Sequence, residues 1–375
     1  MKLLVHQPRL SYFIGGGETV PLQQAETLSQ LGNKVEILTS KPPKYSEIYS
    51  ECKSKNPQII FHELELQGDQ KKIYEEVPGK DWSRWDKEAL FFGQAAFDFY
   101  SQKNNYDLVI THLLSDSLFV PLRYDNVLHL HGVPSERRAF DEIFLTRPNH
   151  FVSVSKYVGK GWKNLYPELE NTAIETCYNG IDTDKFVNKS VSRDIDLLFV
   201  GRLIHTKGIF YIIDAIKLLQ RKGIVPNKLV IIGLGPELEN LKAKCHEAGI
   251  ADMVEFLSNV SPDELNSYYN RSKVFLCPSY EKEGVLTTMM EAASCGCAII
   301  TADCCGMIEF AKNNVNSMIV QPKDSESLTK VIEQLLRDEK LREKLTKQAT
   351  EELQQNWDTK HTVRKLAAAY QSYAK

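Results

Sequence analysis

Short β-rich apolar runs alternate with amphipathic helical stretches along nearly all of the 375 residues, and that alternation restricts the chain to βαβ units built on parallel sheets. In the first half, residues 2–6, 34–39, 59–62, 107–111, 126–130 and 150–154 read as strands, with helical stretches at 19–31 and 84–104. The second half repeats the scheme with strands at 195–200, 228–232, 253–256, 273–276, 297–300 and 316–319. Its helices fall at 209–222, 237–248, 262–270, 285–295 and 325–335, followed by charged helical stretches at 340–355 and 358–373.

The length fits two domains of roughly 150 to 200 residues each. A polar stretch, 182–194, reads as the linker between them. Two doubly wound domains facing each other would leave a cleft at the carboxyl ends of their strands, where ligands of such sheets bind. Hydrophobic content of 42% and charged content of 25% are those of a soluble globular protein. A net charge of −3 weighs against nucleic acid or an anionic membrane as a bulk electrostatic partner, leaving only a local patch formed by the fold. The apolar run at 2–5 is too short for a secretory signal, and no stretch approaches the ~18 apolar residues of a membrane span. The expected location is therefore cytoplasmic, with peripheral membrane contact and oligomeric state left open. The eight cysteines read as reduced, packed thiols. The group around Cys295, Cys297, Cys304 and Cys305 has no nearby His and no paired C-x-x-C spacing, so no metal site is expected.

Candidate chemistry lies in loops between strands and helices. Glu283 and Glu291 stand eight residues apart where a loop opens a helix. At ~3.6 residues per turn, that spacing would return both carboxylates to nearly one face. The free N–H groups at the same helix start favour an anion. A polyol joined to a phosphate satisfies both, as a nucleotide sugar does. Gly15, Gly16 and Gly17 follow the first strand, and three glycines permit positive φ and close approach of backbone to a ligand. In the second half, Gly201-Arg202 and Lys207-Gly208 bound a loop whose guanidinium and ammonium suit a diphosphate. Gly233-Leu234-Gly235-Pro236 begins like a dinucleotide fingerprint, but Leu238 stands where its third glycine belongs, so no NAD site is expected. His129 and His131 point to one side of their strand, with His131 nearer its carboxyl end. Asp182-x-Asp184 resembles a divalent-metal motif but sits in the linker. Trp82 and Trp85 could stack on a sugar or simply pack a helix start.

Taken together, these segments resemble the retaining glycosyltransferases of family 4, also called glycosyl transferases group 1, with the GT-B fold. The similarity rests on Gly15-Gly16-Gly17-Glu18, His129-Leu130-His131-Gly132, 153–158, Tyr178-Asn179-Gly180-Ile181-Asp182, Gly201-Arg202 with Lys207-Gly208, 233–236, Pro278-Ser279, and Glu283 with Glu291. The resemblance implies an N-terminal acceptor-binding Rossmann-like domain at 1–185, a C-terminal nucleotide-sugar-binding domain at 186–355, and a last helix at 356–375 returning to the N-terminal domain.

It further implies that Arg202 and Lys207 neutralise the diphosphate leaving group, Glu291 binds ribose hydroxyls and Glu283 binds the donor sugar. Gly284, Val285, Leu286 and Thr287 would line sugar and phosphates with backbone amides. Gly15 and Gly16 would approach the diphosphate, and His131 would touch the donor sugar or acceptor. No metal and no cofactor beyond the donor, a UDP- or GDP-sugar, are implied. The acceptor would be a glycan, a lipid-linked sugar or a small molecule. Many members carry Gly-Phe-Gly where this chain has Gly284-Val285-Leu286, and glycine where it has Ser258. These departures fall on the sugar pocket and the base contacts, leaving nucleotide and sugar open. A nucleotide-sugar epimerase of the same fold and a non-catalytic sugar-binding subunit are the alternatives. Intact Arg202, Lys207, Glu283 and Glu291 speak against the latter.

Overall fold

The computed structural model describes residues 1–13, 15–66, 83–102, 105–138, 140–258 and 260–374. They divide into two compact units, Met1–Asn179 with Thr359–Lys375, and Gly180–Asp358. Each is a parallel sheet with helices between successive strands.

Unit 1 contains β1 (Lys2–His6), β2 (Lys34–Ser40), β3 (Ile60–Leu64), β4 (Leu108–Thr111), β5 (Asn126–Leu130), β6 (His150–Ser153) and β7 (Ile174–Thr176). The spatial order is β3-β2-β1-β4-β5-β6-β7, so the winding reverses between β1 and β4. Crevices at such a reversal open at the carboxyl ends of the strands. Leu3, Val5, Ile37, Ile110, Val127 and Val152 are buried in the core on one face of the sheet. The C-terminal helix Thr359–Tyr373 adds Val363, Leu366, Ala367 and Tyr370 to that same core. The last seventeen residues thus complete the hydrophobic interior of the first domain. Trp82 lies outside the described residues.

Unit 2 contains β8 (Ile195–Val200), β9 (Leu229–Ile232), β10 (Val254–Leu257), β11 (Ser272–Cys277), β12 (Ala298–Ala302) and β13 (Met318–Val320). Their order is β10-β9-β8-β11-β12-β13, again reversing beside the first strand of the unit. The helix Ile209–Arg221 lays Ile212, Ile213, Ile216 and Leu219 on the sheet, where they meet Leu328, Ile332 and Leu335 of the helix Ser325–Arg337. Much of the 182–194 stretch folds with this unit. Asp182 Oδ1 accepts from the Asp184 and Lys185 amides at 3.0 Å each, and Phe186 is buried against Tyr269. The division consequently falls before 185.

The Gly233-Leu234-Gly235 segment owes its glycines to packing. A Cβ on Gly233, whose φ is +150°, would lie 1.9 Å from the Gly201 carbonyl oxygen, and one on Gly235 would lie 2.2 Å from that of Leu203. These contacts clamp the loop carrying Arg202 against its neighbour, with the Leu203 amide donating to Leu234 O at 2.8 Å. Gly233→Ala is expected to cost roughly 2 to 5 kcal/mol, through strained backbone and overlap with backbone that cannot rotate away. An unchanged urea midpoint for this variant would show that the loop yields instead.

Candidate active site

In unit 2 the candidate residues gather at the carboxyl ends of β8 and β11. Lys207 lies in a single helical turn, His205–Lys207, that ends on Gly208 with φ +76°. A Cβ at Gly208 would fall 2.2 Å from the Pro278 carbonyl oxygen, so glycine allows the β8 and β11 loops to touch. Tyr280 N donates to Thr206 O at 3.1 Å, and His205 Nδ1 meets Tyr280 Oη at 2.6 Å, locking the loops together. The contact brings Lys207 Nζ within 2.7 Å of Glu283 Oε1, both side chains being largely buried. Arg202 is exposed, five residues earlier in the same loop.

The glutamate pair is arranged differently from the expectation. The helix begins at Thr287, not at 285, and runs to Ser294, which leaves Glu283 four residues ahead of it in irregular backbone. Helical spacing therefore does not align the two carboxylates. Glu283 is placed by Lys207 and by its own carbonyl, which accepts from Gly306 N at 2.9 Å. Glu291, on the helix, accepts from Tyr269 Oη at 2.9 Å. Burial pushes its carboxyl up to about 7 against the pull of the Tyr269 hydrogen bond. Gly284, Leu286 and Thr287 are partly exposed, whereas the Val285 side chain is buried. Six cysteines are free and buried, but Cys304 and Cys305, expected as thiols, have their sulfurs joined in the loop just before Gly306.

In unit 1, Gly15 is extended at φ −171° and Gly16 opens the helix Gly16–Gln30. None of Gly15, Gly16 and Gly17 has positive φ, so the loop does not use that freedom of glycine. Their value is space: a Cβ on Gly16 or Gly17 would meet nothing within 4 Å, so both leave backbone accessible to a ligand. Gln7 Nε2 donates to Gly17 O at 2.9 Å and fixes the helix start.

Beneath that helix start lies a buried ionic cluster that sequence reading missed. Arg9 reaches Glu18 at 3.4 Å, Glu88 at 3.3 Å and Asp116 at 2.9 Å. Burial opposes the guanidinium charge, but the three carboxylates together hold Arg9 above its usual range. Burial in turn lifts Glu88 to about 7 and Asp116 to about 6, partly offset by Arg9. No local pattern announces this cluster, because its members come from four separate segments.

His131 stands with two further imidazoles. The register pairs Thr111 with Leu128, so His112 and His129 come level at the ends of β4 and β5, and His131 follows on the same side. His112 Nδ1 and His131 Nε2 are 2.8 Å apart, and His129 Nε2 is 2.6 Å from Tyr370 Oη. Burial depresses all three, His129 to about 3 and His131 to about 4, with Arg9 adding to the latter. His131 is thus held neutral near pH 7. The imidazoles line a cavity of about 810 Å³ whose walls include Trp85, Arg137 and Arg138. Both arginines are already paired, Arg137 with Glu168 and Arg138 with Asp141. Trp85 packs edge-on against Phe13 at 5.0 Å.

These two parallel-sheet units, each with its polar residues at the strand ends, define a GT-B fold. Sucrose-phosphate synthase from Thermosynechococcus elongatus superposes with a TM-score of 0.79 at 17% identity, over 99% of this chain and 98% of that one. Anabaena HepE, solved with UDP and glucose, gives 0.77 at 16% identity, over 99% and 100%. Residues 14–185 match the family model for Glycosyltransferase Family 4, and residues 180–352 that for Glycosyl transferases group 1. The chain belongs to the group 1 glycosyltransferases.

An uncharacterized glycosyltransferase of Methanocaldococcus jannaschii is 30% identical over 225 residues, 55% of this chain and 56% of the relative. The GDP-mannose-dependent alpha-(1-6)-phosphatidylinositol monomannoside mannosyltransferase of Mycobacterium tuberculosis is 27% identical over 176 residues, 42% of this chain and 46% of the relative. The chain spans about half the length of these curated relatives. Among the described residues, no helix is long and apolar enough to cross a membrane.

Proposed function

We propose that the chain transfers a sugar from a nucleotide-diphosphate sugar, of the UDP or GDP type, to a hydroxyl of a glycan, lipid-linked or small-molecule acceptor, with retention at the anomeric carbon. The observation that carries this reading is the Lys207–Glu283 contact at 2.7 Å beside the Arg202 loop. A cation for a diphosphate and an acceptor for sugar hydroxyls are held against one another at the carboxyl edge of a parallel sheet.

In the reaction the C1–O bond to the diphosphate breaks with its electron pair passing to phosphate oxygen. The acceptor hydroxyl closes on C1 from the same face, and its proton passes to the departing phosphate. Arg202 and Lys207 stabilise the charge gathering on the leaving group, which is where preorganised charge acts most strongly. As Lys207 turns toward phosphate, Glu283 becomes free to accept from the donor sugar. Gly284 to Thr287 present amides near the start of the helix Thr287–Ser294, and no step requires a metal. Glu291 receives the ribose hydroxyls. In unit 1, Gly16 and Gly17, preceded by Gly15, leave backbone open for a ligand, and neutral His131 would hydrogen-bond to the sugar or acceptor. The names of the relatives point to both nucleotides: HepE was solved with UDP, and the mycobacterial relative depends on GDP-mannose.

The experiment is a thermal-shift series with UDP, GDP, ADP and their sugar conjugates, run on the natural protein and on Arg202→Ala. A ligand at ~100 times its dissociation constant stabilises by about 2.7 kcal/mol. Selective stabilisation by one nucleotide, lost in the variant, supports the reading. No response to any nucleotide sinks it.

The Glu291 assignment adds a pH dependence. Its carboxyl titrates near 7 in the free protein, and a carboxylate accepting two ribose hydroxyls is ionised. Below about pH 7, nucleotide binding must release a proton, so affinity is expected to fall by up to tenfold per pH unit there and to level off above it. Glu291→Gln should bind more weakly and lose the pH slope. Calorimetry in two buffers of different ionisation enthalpy reads the released proton. Zero proton release at pH 6 would remove Glu291 from the ribose.

A further inference from the structure

The three imidazoles at the ends of β4 and β5 have a chemistry that glycosyl transfer does not use. One ring nitrogen from each of His112, His129 and His131 lies within 4.8 Å of the other two. A tetrahedral cation with bonds of about 2.0 Å places its nitrogen ligands roughly 3.3 Å apart. The 2.8 Å His112–His131 contact and the 4.8 Å limit bracket that value, so small side-chain rotations suffice. His112 and His129 are 4% and 2% exposed; His129 sits on β5 and His112 directly follows the paired strand β4, so the sheet supports both. The Tyr370 hydroxyl, 2.6 Å from His129 Nε2, anchors that ring from behind, as outer partners of metal-binding imidazoles do.

The surroundings suit a dication in two further respects. The Arg9 cluster near His131 sets one guanidinium against three carboxylates, and Asp116 Oδ1 is fully buried without a hydrogen-bond partner. The carboxylates offset the guanidinium, which by itself would oppose a nearby cation. The cavity of about 810 Å³ gives a route in and room for an exogenous fourth ligand.

We propose that His112, His129 and His131 form a binding site for one borderline transition dication of the Zn²⁺ type. Imidazole ligands favour Zn²⁺, Co²⁺ or Ni²⁺ over Mg²⁺ and Ca²⁺, which prefer oxygen. Occupation would take His131 away from sugar, making the cation an inhibitor of transfer. This consequence rests on the proposed function, whereas the binding itself does not.

The test titrates the purified full chain with Co²⁺, following visible absorption, and then displaces it with Zn²⁺. One equivalent should give the intense bands of a tetrahedral ion, and Mg²⁺ at the same concentration should give no change. His112→Gln should weaken binding roughly tenfold or more, while replacement of the exposed His246 by Gln should not. X-ray absorption on the Zn²⁺-loaded natural protein, expected to show three imidazole nitrogens at about 2.0 Å, decides the matter even if His112→Gln does not fold. Fewer than two imidazoles, or unchanged affinity in a folded His112→Gln variant, overturns the site. Three imidazoles with an unaffected transfer rate would uphold the site and withdraw His131 from the transfer reaction.

Discussion

Lys207→Ala is expected to lower kcat by about 10²- to 10³-fold, equivalent to roughly 2 to 4 kcal/mol of transition-state stabilisation. The size follows from where the ammonium sits. Lys207 is 8% exposed, so its field is poorly screened, and Glu283 is its counterion at 2.7 Å. In the proposed reaction, charge on the leaving diphosphate increases as the C1–O bond loosens, so the lysine would act more strongly in the transition state than on bound donor. The expected signature is a fall in kcat exceeding any rise in KM for the donor. Glu283→Gln keeps the shape but removes the counter-charge, and it should weaken sugar recognition while leaving Lys207 free for phosphate. Steady-state kinetics with the donor found by thermal shift separates the two effects. Near-normal turnover in Lys207→Ala would end the leaving-group assignment.

Arg9→Met should produce the largest loss of stability, about 3 to 5 kcal/mol, because it strands Glu18, Glu88 and Asp116 in the interior without their cation. The loss has a definite pH dependence. Glu88 and Asp116 already titrate at about 7 and about 6 in the folded chain, above their ordinary values of 4.5 and 3.8. Groups held above their unfolded values favour the folded state below those values, and the benefit disappears as pH rises through the folded ones. Stability from these two carboxyls therefore falls between about pH 4 and pH 7. Removing Arg9 lifts both carboxyls further and steepens the decline. Urea denaturation at pH 5.5 and pH 8 should show the variant recovering part of its deficit at the lower pH. A deficit under 1 kcal/mol at pH 8 would mean that water reaches the cluster.

The parts of the candidate site that were legible in sequence are those whose chemistry is local. Arg202 and Lys207 lie in one loop behind one strand, so the side chains suited to a diphosphate could be named without knowing the fold. Gly16 and Gly17 were identifiable as places where backbone is open: of the two freedoms glycine allows, the loop uses the missing Cβ for space and not positive φ. The Glu283–Glu291 relation was misjudged because periodicity applies only inside a helix, and this helix starts at Thr287. The glycines of 233–236 resemble a nucleotide fingerprint in sequence, while in space they serve the approach of two backbones.

What the sequence alone determined is the alternation of strand and helix, hence two parallel-sheet units, because burial and periodicity are properties of neighbouring residues. It also determined which loops carry charge or expose backbone. What only the tertiary structure decided is which distant groups become partners. His112 meets His131 because β4 and β5 pair in one particular register. Tyr370 reaches His129 across a separation of 241 residues because the last helix completes the first core. Arg9 gathers carboxylates from three other segments because a buried cation must find its countercharge wherever the fold supplies it. Lys207 and Glu283 touch because Gly208 lets one loop press on Pro278 of another. The cost of burying a charge is set by its surroundings in three dimensions, and no spacing along the chain encodes those surroundings.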